Sequence, residues 1–190
     1  TGHSSETVDD RDSDLLSRIA AGDMVSMRAL YMAHAEAVRR FVRTRTGDEF
    51  EAADIVHDTM LAVWRSAASF DGRSSVRSWI LTLARNKAVD LVRKQSRVSL
   101  AEPDETIPDD DPDPETIVSA AEDAARVRAC VAELPDHHRV VVHLAFFEDL
   151  TYAQIATVEN VPEGTIKTRI FHAKRLLMHC LSRTGKILNP

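Results

Sequence analysis

Residues 150–177 carry basic and hydrogen-bonding side chains on one side of a helical pattern, LTYAQIATVENVPEGTIKTRIFHAKRLL. Apolar residues at helical spacing, from Ile166 through Ile170 to Leu177, predict the buried side of this stretch. The other positions offer cations, hydroxyls and an aromatic ring, groups that contact phosphates and base edges of DNA. The candidate DNA-binding residues are Thr165, Lys167, Thr168, Arg169, Phe171, His172 and Lys174.

The same stretch has the start and stop signals of two short helices. Thr151 with Gln154 forms a capping-box pattern, and Asn160 suits a left-handed turn residue. Pro162 and Glu163 favour the N-terminus of a second helix. This order predicts a helix-turn-helix whose second helix enters the major groove. An ordinary helical hairpin with a solvated basic face is the alternative interpretation.

A second basic surface lies on a predicted helix and the loop before it, FDGRSSVRSW. The polar residues of that helix recur at three- to four-residue spacing, opposite the apolar side from Trp79 to Leu83. Such a surface can follow a nucleic-acid backbone and hold splayed bases, although many basic faces are only solvated. Its candidate residues are Arg73, Ser74, Arg77, Arg85, Asn86 and Arg93.

No pattern in the chain points to catalysis or metal binding. HExxH, Walker and GxGxxG motifs are absent, and nothing indicates a catalytic triad, so we expect no enzyme, metal, cofactor or small-molecule substrate. His137 and His138 are adjacent, so their side chains should point in different directions on a helix. Cys130 and Cys180 form neither a disulfide framework nor a CxxC knuckle, which predicts a reducing, cytoplasmic setting.

Composition favours helices. The 190 residues are 44% hydrophobic but only 5% aromatic, with six glycines, which argues against a β-sandwich or barrel. Abundant Ala, Leu, Arg and Glu predict an all-α protein with one ordinary domain or two small ones. We expect no signal peptide and no membrane span, because the start is acidic and no long apolar run occurs.

The net charge of −6 is unevenly distributed along the chain. Residues 98–117 hold eight acidic side chains, no basic ones and four prolines, whereas residues 24–97 carry a net +5. Proline and repelling carboxylates predict a flexible acidic linker; a calcium loop is excluded because its glycine is missing. The predicted parts are a disordered tail at 1–13, a helical domain at 14–97, the linker at 98–117, a second helical domain at 118–183 and a tail at 184–190.

The first domain is predicted to be a bundle of three to four helices. Its first helix should run from Asp14 to about Arg45 with an interruption at Gly22-Asp23, where Asp23 caps the second part. Asp48 should start the next helix, and Ser74 or Ser75 the third. The second domain is predicted to contain four shorter helices, the last two forming the helix-turn-helix.

Two long stretches carry a family resemblance. Residues 51–94, with the D-x-V-x-D-T type helix, the FDGRSS-x-R-S-W loop and ARN-x-A-x-D, resemble domain two of bacterial sigma factors. Residues 133–177, with the PEGT-x-K-x-R-I-F run, resemble domain four. The closer likeness is to the extracytoplasmic-function subfamily, in which a variable linker joins these two domains. With residues 14–50, the resemblance covers nearly everything except the linker and the chain ends.

The resemblance implies three contact surfaces. Asp54, Asp58, Val63 and Arg65 would dock on the β′ clamp helices of core RNA polymerase. The loop Asp71–Ser75 and the helix Arg85–Lys94 would bind the −10 element and hold a base of the opened non-template strand. The second helix of the helix-turn-helix would bind the −35 element. His172 stands where many members have Arg, which leaves the −35 sequence undefined.

The resemblance also implies a function and partners. The chain would direct core polymerase, through its β′ and β subunits, to promoter DNA and help to open it. An anti-sigma factor, often membrane-bound or zinc-containing, would hold it inactive, so a cytoplasmic, nucleoid-associated protein sequestered at times at the inner membrane is expected. The alternatives are a stand-alone dimeric helix-turn-helix regulator and a helical signalling or enzyme domain with incidental basic faces.

Overall fold

The computed structural model describes residues 3–99 and 120–183, which form α-helices and one 3-10 turn and contain no β-strand. The all-α prediction is therefore confirmed. The first four helices make the N-terminal bundle and the last four the C-terminal bundle. The elements are α1 His3–Ala20, α2 Met24–Thr46, α3 Glu49–Ser66, a 3-10 turn Ala67–Ser69, α4 Val76–Ser99, α5 Ala120–Ala132, α6 Asp136–Phe146, α7 Tyr152–Glu159 and α8 Glu163–Arg183.

Helix boundaries agree with the local capping signals. Asp23 caps α2 by accepting from the backbone N–H of Val25 at 2.9 Å, and Asp48 caps α3 by accepting from Glu51. Thr151 and Gln154 form the complete capping box of α7, which ends at Asn160 in the left-handed conformation. The predicted linker overlaps the end of α4 at residues 98 and 99, and its remaining residues lie outside the described part of the chain.

The N-terminal tail requires a correction. We expected residues 1–13 to be disordered, but α1 begins at His3. Two acidic residues of this segment have partners on distant helices, because Asp9 accepts from the Val76 backbone N–H at 2.9 Å and Asp12 lies 2.7 Å from His34 Nε2. Leu16 adds its side chain to the core. These contacts fix α1 against α2 and α4.

A single apolar core runs through both bundles. It extends from Leu16 and Phe41 of the N-terminal bundle to Leu144 and Ile155 of the C-terminal bundle. In the described part of the chain, α4 packs on α7 and α2 packs on α6, so the two bundles share a face. No helix among these residues has the length and apolar character needed to cross a bilayer.

The cysteines also require a correction. We did not expect a disulfide, but Cys130 of α5 and Cys180 of α8 are bonded, with Cα atoms 5.8 Å apart. The packing of α5 on α8 brings together two residues that are 50 positions apart, a pairing that spacing alone does not indicate. Closing a loop of that length stabilises a fold by about 4 kcal/mol in the chain-entropy model.

Candidate nucleic-acid interface

The loop before α4 is ordered by its own side chains. Gly72 has φ +71°, a conformation that glycine adopts without strain. The Asp71 carboxylate accepts from the Arg73 guanidinium and from the Arg73 backbone N–H, the latter at 3.1 Å, and these hydrogen bonds lower the pKa of Asp71. The Ser75 hydroxyl accepts from the Ser78 backbone N–H at 3.2 Å and so caps α4. The loop is therefore organised before any ligand arrives.

The six residues predicted for this surface differ in availability. Arg73, Asn86 and Arg93 are exposed, and Ser74 and Arg85 are partly exposed. The Arg85 guanidinium donates to the Asn86 side-chain oxygen at 3.3 Å, so these two side chains lie together. The sixth, Arg77, is also partly exposed but donates to the carboxylate of Glu148 in the C-terminal bundle.

A cleft of about 350 Å³ lies beside the loop. Phe70, Asp71 and Gly72 form one side, and Ser13 and Ser17 of α1 contribute to the other. Ser17 lies in a helix that the sequence predicts, but the packing of that helix beside the loop has no local sequence signal, so sequence reasoning missed this second wall. The cleft therefore offers hydroxyl and carboxylate groups next to an aromatic ring.

Helix α8 presents the second predicted surface. Ile166, Ile170 and Ala173 are buried, as their spacing predicts. Lys167 pairs with Glu163 at 2.8 Å, and this hydrogen bond raises the pKa of the Lys167 ammonium. The predicted residues lie on the side of α8 away from the core, and they differ in exposure. Lys167, Thr168, Phe171, His172 and Lys174 are exposed, and Thr165 and Arg169 are partly exposed.

One cation on α8 was missing from the predicted set. Arg175 is exposed, and its guanidinium lies 5.9 Å from the centre of the Phe171 ring. The two residues are four apart, so helical spacing alone places them on one face. Arg175 therefore extends the cationic side of α8 beyond Lys174.

Three histidines lie together beside α8. The His138 ring lies 4.2 Å from that of His137 and 6.3 Å from that of His172, centre to centre, so the expected divergence of His137 and His138 is wrong. Burial, followed by the charges of His137, His172 and Arg169, lowers the pKa of His138. In the described part of the chain, no group of three His, Cys, Asp or Glu residues is arranged to hold a metal ion.

The outer face of α3 carries three of the four predicted polymerase contacts. Asp54, Asp58 and Arg65 are exposed, but Val63 is 0% exposed. Val63 is a correction, since its side chain lies in the core and cannot reach a partner. Sequence reasoning instead missed Phe50, which is 85% exposed on the same face as Asp54 and Asp58. The spacing of 50, 54 and 58 could have identified it.

A cluster of polar contacts joins the two bundles and had no sequence signal. The Glu148 side chain is fully buried and accepts from Arg40 Nη2 at 3.1 Å and from Arg77. His143 Nε2 lies 3.2 Å from the same carboxylate. Burial by itself raises the pKa of Glu148, but the contacts with His143, Arg77 and Arg40 outweigh it and hold the pKa below its usual value.

Further contacts lie around Glu148. Arg45 pairs with Glu159, and the Arg139 guanidinium donates to the Thr44 carbonyl at 3.1 and 3.2 Å. At the other end, the Gln154 amide donates to the Ser75 hydroxyl at 3.2 Å. The interbundle contact is defined here as Arg40, Thr44, Arg45, Ser75 and Arg77 on one side, with Arg139, Glu148, Gln154 and Glu159 on the other.

Two family models match the chain in the order that the motifs predict. Sigma-70 region 2 matches residues 30–98, and Sigma-70 region 4 matches residues 124–177. The first match contains α3, the loop and α4, and the second contains the helix-turn-helix. Both candidate DNA-binding surfaces therefore lie inside matched regions.

Full-length relatives are similar over most of the chain. The ECF RNA polymerase sigma factor SigL of Mycobacterium tuberculosis is 33% identical over 178 residues, covering 90% of this chain and 97% of that protein. The ECF RNA polymerase sigma factor RpoE of Cereibacter sphaeroides is 34% identical over 151 residues, covering 78% and 82%.

Two solved structures share the fold. The sigma factor RpoE of Bartonella quintana, in complex with the anti-sigma factor NepR, aligns with a TM-score of 0.65 and 24% identity over 78% of this chain and 91% of that one. CnrH in complex with the cytosolic domain of CnrY aligns with a TM-score of 0.67 and 23% identity, over 92% and 99%.

Proposed function

The chain belongs to the ECF (extracytoplasmic-function) RNA polymerase sigma factors, and from that premise we propose which of its surfaces read the promoter. The function of the family is to bind core RNA polymerase, direct it to specific promoters and assist opening of the DNA. The observation that carries the proposal is the presence of two separate cationic helices, α4 and α8, one in each sigma region.

Helix α4 and the loop before it bind the −10 element. Exposed Arg73 and Arg93 can meet phosphates, and Asn86 next to Arg85 offers donors and an acceptor to a base edge. Extraction of a base from the stack costs a few kcal/mol, which contacts in a preorganised pocket must offset. The cleft between the loop and α1 is the place for such a base.

Helix α8 enters the major groove at the −35 element. Lys167 and Thr168 lie near its N-terminus, where recognition helices contact base edges, and Lys174 lies further along for phosphate contact. Phe171 is exposed on the same side and can meet a thymine methyl group. His172 lacks the two parallel donors with which Arg binds guanine. Histidine at this place therefore recognises guanine less well than arginine would.

The outer face of α3 docks on the β′ clamp helices. Asp54, Asp58 and Arg65 supply charge, and exposed Phe50 supplies an apolar group at the edge of the same face. Exposed aromatic side chains are enriched in such contacts relative to the rest of a protein surface.

Regulation by an anti-sigma factor completes the proposal. The two solved structures described above are complexes with an anti-sigma factor and with the cytosolic domain of CnrY. A membrane-bound or zinc-containing partner would keep this chain from polymerase until a signal releases it. The free factor would then act in the cytoplasm at the nucleoid, where polymerase itself performs the chemistry.

Reconstitution tests the proposal. Core polymerase, with and without this chain, transcribes genomic fragments, and transcript 5′ ends are mapped. We expect discrete start sites only with the chain present, and loss of those transcripts with Lys167→Glu but not with Arg128→Glu, an exposed control on α5 with the same charge change. Tight binding to palindromic DNA without polymerase, and no new start sites, would instead establish a stand-alone dimeric regulator.

A further inference from the structure

We propose that Asp9 of α1 is a positioning residue for −10 recognition, because its carboxylate caps the N-terminus of α4 and so holds the loop Asp71–Ser75 in place. The inference rests on the proposed function of this loop and of α4 as readers of the −10 element. Asp9 acts through the backbone of Val76 and not through a contact of its own with DNA. It lies outside the matched Sigma-70 region 2, which begins at residue 30.

The N-terminus of α4 needs hydrogen-bond acceptors from outside the helix, since the first backbone N–H groups of a helix have no partner within it. Ser75, just before α4, supplies one by accepting from the Ser78 N–H at 3.2 Å. The Val76 N–H instead donates to the Asp9 carboxylate at 2.9 Å, across 67 positions of sequence. Asp9 therefore caps the first residue of α4 from a distant helix, whereas a typical cap is local.

Both charge and burial strengthen this attachment. A carboxylate that accepts from a backbone N–H at a helix N-terminus makes a charge-assisted hydrogen bond and lies at the positive end of the helix dipole. The Val76 side chain is 0% exposed, so the same residue is also fixed in the core. The point where the loop joins α4 is therefore held by the backbone and by the side chain of Val76.

Helix α1 holds Asp9 at this place by contacts of its own. Asp12 lies 2.7 Å from His34 Nε2 of α2, and Leu16 is buried in the core. Positions 9, 12 and 16 follow helical spacing, so one side of α1 faces the bundle. Asp9 is accordingly partly buried, whereas Asp10 beside it is exposed.

The same helix continues along the cleft beside the loop. Ser13 and Ser17, one and two turns after Asp9, line the cleft, and the loop lines its other side. The hydrogen bond between Asp9 and Val76 joins α1 to the start of α4, so it fixes the two walls of the cleft relative to each other. Loss of this bond lets the walls shift, and a displacement of about 1 Å is enough to impair a preorganised site.

Three substitutions separate the hydrogen bond from the charge. Asp9→Ala removes both and keeps α1 helical, since alanine is the strongest helix former. Asp9→Asn removes the charge but keeps an oxygen that accepts from the Val76 N–H, and asparagine is a good capping residue. Asp10→Ala is the matched control, because it removes the same charge from the neighbouring, exposed position of α1.

Amide hydrogen exchange of the full chain, without DNA or polymerase, measures how firmly the start of α4 is held. With Asp9→Ala, we expect exchange of the amides at residues 76–79 to rise about fivefold, the factor that corresponds to the loss of one cap. Asp9→Asn and Asp10→Ala should stay within about twofold of wild type. Unchanged exchange with Asp9→Ala, or an equal rise with Asp10→Ala, would overturn the proposal.

Promoter discrimination measures the consequence for DNA. Holoenzyme is bound to a forked fragment from a start site mapped in the reconstitution, and to the same fragment with its −10 bases replaced. Asp9→Ala should reduce the ratio of the two affinities by about threefold or more, while Asp9→Asn and Asp10→Ala preserve it. Affinity for a duplex that carries only the −35 element should stay constant in all variants.

This comparison distinguishes a positioning role from a merely structural one. General destabilisation would weaken binding to both forked fragments and to the −35 duplex alike, and that result would overturn the proposal. A ratio unchanged by Asp9→Ala, or one that falls equally with Asp9→Asn, would overturn it as well. If the reconstitution yields no start site, the proposed function fails, while exchange at residues 76–79 still decides whether Asp9 holds the start of α4.

Discussion

The two bundles hold their DNA-facing helices by different means. In the N-terminal bundle, α4 lies on a core fixed by a buried hydrogen bond between the side chains of Asp12 and His34, both about 6% exposed. In the C-terminal bundle, α8 is tied to α5 by the Cys130–Cys180 disulfide. The cationic side of α8 is open, whereas the start of α4 is covered by the other bundle. The smaller bundle thus relies on a covalent bond where the larger one relies on burial.

The largest expected effect concerns the disulfide. Reduction, or the Cys130→Ser/Cys180→Ser double substitution, should lower the free energy of unfolding of the C-terminal bundle by about 4 kcal/mol. Hydrogen exchange under increasing urea, resolved by segment, measures this. The protection of backbone amides from exchange should change less in α2 and α3 than in α5 and α8. As a control, a reductant should not destabilise the double variant further. Equal losses of protection in the two bundles would contradict the claim that the disulfide stabilises mainly the C-terminal bundle.

The buried hydrogen bond between Asp12 and His34 gives the next effect, in the opposite bundle. Asp12→Asn weakens the buried hydrogen bond to His34 and should cost about 2 kcal/mol in urea unfolding. Asp14→Asn is the matched control, because Asp14 pairs with Arg18 at the surface, 59% and 60% exposed. That control should change stability by less than about 1 kcal/mol. Similar costs for both substitutions would remove the special role of the Asp12–His34 pair.

A smaller effect is expected at the start of the helix-turn-helix. Thr151→Ala removes the hydroxyl that caps α7 and should cost about 1 kcal/mol. Thr157→Ala changes an exposed position within the same helix and should cost less. The Thr157 hydroxyl donates to the Ala153 carbonyl inside the helix and caps no free backbone N–H. Thermal unfolding of both variants at one pH measures the difference, and the reverse order would be inconsistent with the capping box.

The smallest expected effect is a pH dependence confined to the C-terminal bundle. Burial and neighbouring charges lower the pKa of His138, so the folded state favours the neutral ring. The preference for the neutral His138 ring contributes to the free energy of unfolding above the unfolded-state pKa of about 6.5. This contribution is lost as the pH falls from there through the lower pKa of the folded state. His138→Gln should reduce the change in the thermal unfolding midpoint of helices α5–α8 between pH 7 and pH 5. An unchanged slope would show that His138 does not titrate in this range.

Sequence reasoning succeeded where a structural signal is local. The caps at Asp23, Asp48 and Thr151 depend on residues within one turn, and all three begin helices as predicted. The buried side of α8 followed from helical spacing alone. Cap chemistry therefore located the starts of α2, α3 and α7, and periodicity located the buried side of α8, one of the two helices that carry the candidate DNA surfaces.

The features that sequence reasoning missed depend on distant partners. The helical tail is fixed by Asp9 and Asp12 against residues on α4 and α2, and the disulfide joins residues 50 positions apart. Glu148 meets arginines more than 70 positions away. Val63 and Phe50 are exceptions, because the helical spacing of α3 does indicate which side faces the core, whereas the resemblance transferred contact positions without regard to that side.

Footprinting of the holoenzyme on a mapped promoter tests the central claim most directly, that α4 and α8 read separate elements. With Lys167→Glu, we expect loss of protection upstream, around −35. With Arg85→Glu, we expect protection there to remain while permanganate reactivity of unpaired thymines near −10 disappears. If both charge reversals leave protection, strand opening and transcript yield at the wild-type level, the assignment of the two helices is wrong.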